Sequence, residues 1–104
     1  MSENIGFSVY PNPFFINEPG LLNNQGHVRF LYYNPNNLNA DLDIYDFTMH
    51  HIITLSDKTQ IGDGESQTIW NGRNYEGNKV VNGTYFCKLS IDNDIYWTKL
   101  MVIN

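Results

Sequence analysis

Between Trp70 and Ile91 the chain reads WNGRNYEGNKVVNGTYFCKLSI, and this stretch narrows the possible folds more than any other. An apolar strand end, Thr68-Ile69-Trp70, runs into three glycine-bearing turn signals: Asn71-Gly72, Glu76-Gly77-Asn78 and Asn82-Gly83. An apolar run from Thr84 to Ile91 follows at once. Glycine enters left-handed backbone cheaply because it has no Cβ, and asparagine because its side chain can bond the local backbone. So many of them between two strands prescribe a loop of definite shape. The stretch holds no paired nucleophile and base, no metal-ligand spacing and no phosphate-cradling loop. It argues for architecture and against catalysis.

At 104 residues the chain suits one domain around a single core. A hydrophobic fraction of 41% with 14% aromatic residues marks a folding sequence. Only 16% of residues are charged, and Asn recurs from end to end, so neutral polar turns cover the surface. The net charge of −5 opposes nucleic acid and anionic membrane, and there is no basic run. Cys87 is the sole cysteine, which rules out an internal disulfide. Between Phe86 and Lys88 in an apolar strand, it reads as a small buried hydrophobe. Met1-Ser2-Glu3-Asn4 lacks the basic start and apolar run of a signal peptide, and no segment approaches the roughly 20 apolar residues of a membrane span. Folding sequence this close to Met1 suits a domain cut from a longer chain.

Taken in order, residues 1–6 read as a tail and residues 7–104 as the domain. Phe7 to Tyr10 is a brief strand, stopped by Pro11-Asn12-Pro13, whose prolines fix φ and remove two donors. Phe14-Phe15-Ile16 reads as an apolar plug, and residues 17–26 as loop with turn signals at Pro19-Gly20 and Asn23-Asn24. Residues 27–33 alternate, placing Val28, Phe30 and Tyr32 on one face. Residues 40–47 do the same, with Ala40, Leu42 and Ile44 inward and Asp41, Asp43 and Tyr45 outward. Strands are also expected over 52–55, 65–70, 84–91 and 95–103, with a polar loop over 56–64 and a tight hairpin at Asp92-Asn93-Asp94. No window keeps a helical period. About seven short strands separated by turns describe an all-β, two-sheet antiparallel sandwich.

No candidate chemistry assembles from the residues. His50 and His51 are adjacent, so on a strand they point to opposite faces and cannot share a metal; His27 is distant in sequence. Asp41 and Asp43 share a strand face, but nothing signals the apolar pocket an acid–base pair needs, and outward Asp more often solubilises. Asp63-Gly64-Glu65 and Asp92-Asn93-Asp94 carry oxygen ligands in loops without the spacing of a dedicated calcium site. Asn82-Gly83-Thr84 fits a glycosylation acceptor, yet reads better as a turn before a strand. The aromatics Tyr32, Tyr33, Tyr45, Trp70, Tyr75, Tyr85, Tyr96 and Trp97 raise a sugar-stacking surface, against the commoner role of core packing. No catalytic residue, cofactor or metal is expected.

Several short motifs together resemble a known group of domains. Tyr10-Pro11-Asn12-Pro13-Phe14 looks like the YPNPF opening of C-terminal domains found on many secreted bacterial proteins. Ile44-Tyr45-Asp46 resembles their central IYD strand. Trp70-Asn71-Gly72-Arg73-Asn74, with Gly77-Asn78 and Val80 after it, resembles their WDGRD..G..V turn. Gly83-Thr84-Tyr85-Phe86 matches their GxYF strand start, and Lys99 to Ile103 their usual ending. The motifs fall in order over residues 9–103. They are shared by the immunoglobulin-like domain of the flagellar hook-capping protein and by the type A sorting domain of the type IX secretion system. The resemblance implies an immunoglobulin-like sandwich at the C-terminus of a larger secreted or surface protein, with no catalysis of its own. In the sorting family such a domain is read by the outer-membrane translocon and commonly removed by a sortase.

The implied partners are therefore the sorting machinery or neighbouring domains of the parent, and the isolated domain is expected to be a monomer. A structural spacer or assembly module of the hook-capping kind is the alternative, and a carbohydrate-binding module a third. The chain departs from the pattern in two places. Met49-His50 stand about where a Gly usually follows the IYD strand, and Asn71 and Asn74 replace Asp. The asparagines keep a turn former and a local acceptor.

Overall fold

Alternating burial sets the layers. In the computed structural model, which describes residues 5–17 and 26–104, β1 (Ser8–Tyr10), β2 (Phe14–Phe15), β3 (Val28–Tyr33), β4 (Ala40–Tyr45) and β5 (His51–Leu55) make up the first half. β6 (Thr59–Gly62), β7 (Glu65–Trp70), β8 (Gly83–Ile91) and β9 (Asp94–Ile103) complete the fold. Val28, Phe30 and Tyr32 of β3 are buried while their neighbours are not, and Ala40, Leu42 and Ile44 of β4 repeat the pattern. Residues two apart on a strand share a face, so each strand delivers one apolar row to the interior.

Two sheets carry those rows. One has the order β1-β3-β7-β6 and the other β2-β9-β8-β4-β5. Phe30, Tyr32 and Trp70 from the first meet Leu42, Ile44, Tyr85, Cys87, Leu89, Leu100 and Val102 from the second in one core. Each large side chain buried there contributes about 1.5–3 kcal/mol. The polar atoms drawn inside are partly paired: the Tyr32 and Thr68 hydroxyls share a hydrogen bond of 2.9 Å. The result is an all-β, sandwich-like fold.

The strand pattern departs from the expectation in specific ways. Nine strands form among the described residues where about seven were expected. β6 lies inside the stretch read as a polar loop; all four of its residues are exposed, so it has no alternation to betray it, and it holds only the edge of β7. Phe14-Phe15, read as a plug, is a strand lying parallel to the end of β9, so the sandwich is not wholly antiparallel. Ile16 N–H extends that pairing to the Ile103 carbonyl at 3.0 Å. β4 stops at Tyr45, two residues early, because Asp46 begins a turn. Of the expected tail, residues 1–4 lie outside the described residues. Ile5 packs against the core and its carbonyl accepts from Tyr33 N–H at 2.8 Å, so the packed chain begins before Phe7. The turn signals at Pro19-Gly20 and Asn23-Asn24 also lie outside the described residues.

Candidate functional site

The motif residues fall into three structural groups and do not converge on one cleft. The first group ties the PNPF segment to β9. The Asn12 carboxamide donates to the Lys99 carbonyl and accepts from Met101 N–H, both at 3.0 Å, so one side chain stands in for a strand partner. Phe14 then enters the core, its ring 6.3 Å from that of Trp70. Tyr10, Pro11 and Pro13 stay at the surface or half-buried, with Arg29 5.8 Å above the Tyr10 ring.

The second group closes the loop between β7 and β8. Trp70 is buried and its indole N–H donates to the Arg73 carbonyl at 2.9 Å. Asn71 Oδ1 accepts from Arg73 N–H, Arg73 donates to the Gly77 carbonyl, and Asn74 Oδ1 accepts from the N–H groups of Glu76 and Asn78. Backbone bonds from Val80 to Gly72 and from Asn74 to Asn78 lock the two arms. The chain then enters β8 at Gly83, and Tyr85 points inward, its hydroxyl donating to the Val81 carbonyl at 2.6 Å. From Asn71 to Asn78 the loop bonds chiefly to itself, while Lys79 reaches Asn17 and Asn104 bonds the Val80 carbonyl and Asn82.

The third group is the outer face of the five-stranded sheet. Registers place Lys99, Phe86, Tyr45 and His51 in one row across β9, β8, β4 and β5, with Trp97, Lys88, Asp43 and Thr54 in the next. Tyr45 and Trp97 rings lie 5.9 Å apart, and Lys88 Nζ is 5.6 Å from the first centroid and 6.0 Å from the second. An open groove of about 650 Å³ beside them is lined by Met49, Phe86, Trp97, Thr98 and Lys99. Ile44, from the same IYD motif, faces the other way into the core.

Asp46 shapes the turn beside this face. One carboxylate oxygen accepts from Thr48 N–H, the Thr48 hydroxyl and His50 N–H at 2.7–2.9 Å. The Thr48 hydroxyl above all, with the His50 N–H, holds this carboxyl below its ordinary pKa. Met49 sits between them with φ of 68°, in left-handed backbone. This is about where the resembled domains carry glycine.

The candidate chemistry resolves into pairing. Asp41 accepts from Ser56, just past the end of β5, and Asp43 from Thr54 at 2.5 Å and from His51 at 2.9 Å, both within β5, so the two carboxylates serve separate partners. The Thr54 hydroxyl also lies 2.9 Å from His51 Nε2, so Asp43, His51 and Thr54 form one polar cluster at the surface. His50 and His51 are both exposed, His50 in the turn and His51 at the start of β5. The described residues hold no group of three His, Cys, Asp or Glu side chains that could take a metal. Cys87 is fully buried, and burial pushes its thiol up to about 12. Of the aromatics considered for sugar stacking, Tyr32, Trp70 and Tyr85 are in the core, while Tyr33, Tyr75 and Trp97 are exposed. Among the described residues no helix is long and apolar enough to cross a membrane.

No protein-family model matches the chain, and no curated protein does. A solved structure does match: that of PorZ, an essential bacterial surface component of the type-IX secretion system of Porphyromonas gingivalis. The match has a TM-score of 0.58 at 21% identity, covering 95% of this chain and 12% of that one. At that identity the likeness is one of fold, and the chain corresponds to a small part of the length of PorZ.

Proposed function

We propose that this chain is a non-catalytic, immunoglobulin-like sorting or anchoring domain that directs export or surface attachment of a larger bacterial protein through the type IX machinery. The observation that carries the reading is the match to PorZ: nearly the whole chain aligns with a module-sized piece of a much longer secretion-system surface component. The YPNPF, IYD, WNGRN and GTYF motifs support it independently, since each has a distinct structural duty in this fold.

Strand order supports the immunoglobulin-like part. Lettering β1, β3, β7 and β6 as A, B, E and D, and β9, β8, β4 and β5 as G, F, C and C′, is consistent with that strand order, with β2 an additional strand beside β9. Tyr85, bonded four residues back and two residues before Cys87, occupies the place of the tyrosine corner near the start of strand F.

The test fuses residues 1–104 behind a reporter in a bacterium with the type IX machinery. Reporter at the surface or in the medium supports the reading; reporter retained inside with the domain folded overturns it. A second reading is favoured by the neighbour itself, because PorZ is a component of the system. On that reading the domain is a structural or assembly module, and its parent would carry it between other domains.

A further inference from the structure

Among the described residues, half of the free edge of β9 is filled and half is open. Residues 94, 96, 98, 100 and 102 pair inward with β8, so the N–H and C=O groups of the odd-numbered residues point off the sheet. Lys99 C=O and Met101 N–H are taken by Asn12, and Ile103 C=O by Ile16. Those of Ile95 and Trp97 have no partner among the described residues.

The other edges carry the usual defences against strand addition. β5 pairs through a register shift at Ile44/Tyr45, β6 through one at Gln60/Gly62, and β1 is three residues long and ends before Pro11. β8 and β9 instead pair without a shift over nine successive positions, and the open part of β9 presents Ile95 at 58% and Trp97 at 51% exposure. Such an edge can accept an extended peptide by main-chain hydrogen bonds, with side chains set by the neighbouring face.

That face states what the peptide should carry. Lys88 and Lys99 project from it, and neither forms an ion pair with any described residue. Asp43, across from Lys88, is already held by Thr54 and His51. The groove lined by Met49, Phe86 and Trp97 is also lined by Lys99, and Lys88 Nζ lies 6.0 Å from the Trp97 ring centroid. We propose that the open edge of β9 at residues 95–97 docks an extended peptide segment of a partner protein, with acidic side chains toward Lys88 and Lys99 and an apolar one in the groove. This deepens the reading of the chain as a module recognised by a protein partner and rests on it. Binding measured on the chain alone separates its failure from a failure of export.

The probe is a short capped peptide alternating Glu with Val and Thr, titrated into the isotopically labelled 104-residue chain. The expected result is that the amides of residues 95–97 and the Trp97 indole shift most, and that hydrogen exchange at Ile95 and Trp97 slows. N-methylation of alternate peptide nitrogens, or Lys99→Glu in a chain of unchanged melting temperature, should weaken binding about tenfold, the loss expected of one or two such bonds. Shifts centred on β5 or β6, equal binding of a Lys-for-Glu peptide, or no shift at millimolar peptide would overturn the proposal. So would oligogalacturonate perturbing these residues where the peptide does not, because the site would then be one for acidic glycans.

Discussion

Gly72 lies directly beneath Ile16. Its φ is 77°, it is buried, and a methyl group built on it would overlap Ile16 Cδ1 and stand 3.1 Å from Phe14 Cε2. The glycine of the WNGRN turn is thus bare so that the PNPFFI segment can cross it. Two motifs nearly sixty residues apart in the chain are one packing unit.

The contrast with Gly77 isolates that packing. Gly77 is also left-handed, at 88°, but a Cβ there meets nothing within 4 Å. Gly77→Ala should cost about 1 kcal/mol from backbone strain alone. Gly72→Ala adds overpacking and should cost about 2–4 kcal/mol in urea unfolding. Equal losses would show that the contact with Ile16 carries no weight.

Asn12 gives the second prediction. Removing its carboxamide frees one donor and one acceptor on an exposed edge, where water can replace them, so Asn12→Ala should cost about 1 kcal/mol. Asn12→Asp should cost more, because it sets a carboxylate oxygen against the Lys99 carbonyl. Faster hydrogen exchange at Met101 in both variants would locate the effect, and unchanged exchange would contradict it.

How much could be read from the residues follows from what each feature depends on. Alternation in β3 and β4 is local, so inward Phe30, Tyr32, Leu42 and Ile44 are legible, as is inward Tyr85 after its glycine turn. β6 has no apolar row, and β2 is too short to show a period, so both escape. The cluster of Tyr45, Lys88 and Trp97 draws on three strands and exists only once their register is set. The meeting of Asp43 with His51 and Thr54 likewise needs the β4–β5 register, which a bulge displaces.

The turn after β4 is predicted to improve on substitution. Met49 holds left-handed backbone at 68° that glycine enters without a Cβ clash. Met49→Gly should raise stability by about 0.5–1 kcal/mol, the left-handed penalty less the greater freedom of the unfolded glycine chain. A lower melting temperature would mean that the methionine side chain holds the turn through its packing.

Asp46 makes the same turn pH-sensitive. Its folded pKa lies below the ordinary carboxylate value, chiefly through the Thr48 hydroxyl. The stabilisation is therefore complete above the ordinary value and disappears as pH falls through the folded one. Melting curves from neutral to acid pH should show a steeper loss for the native chain than for Asp46→Asn, which starts lower. Parallel curves would refute the role of this carboxylate.

Cys87 should be chemically silent. A thiol raised to about 12 and fully buried is protonated at neutral pH, and only the thiolate reacts. A thiol reagent should label it only as the chain unfolds. Prompt labelling of the native protein would contradict the packing of β8.

Export itself decides the central claim. A periplasm-directed reporter carrying residues 1–104 at its C-terminus is followed in two strains, one with an intact type IX translocon and one without. Reporter is expected at the surface or in the medium of the first strain and retained in the second, with Gly72→Ala lowering export as it lowers stability. Retention in both strains, with the domain folded and protease-resistant, would contradict it.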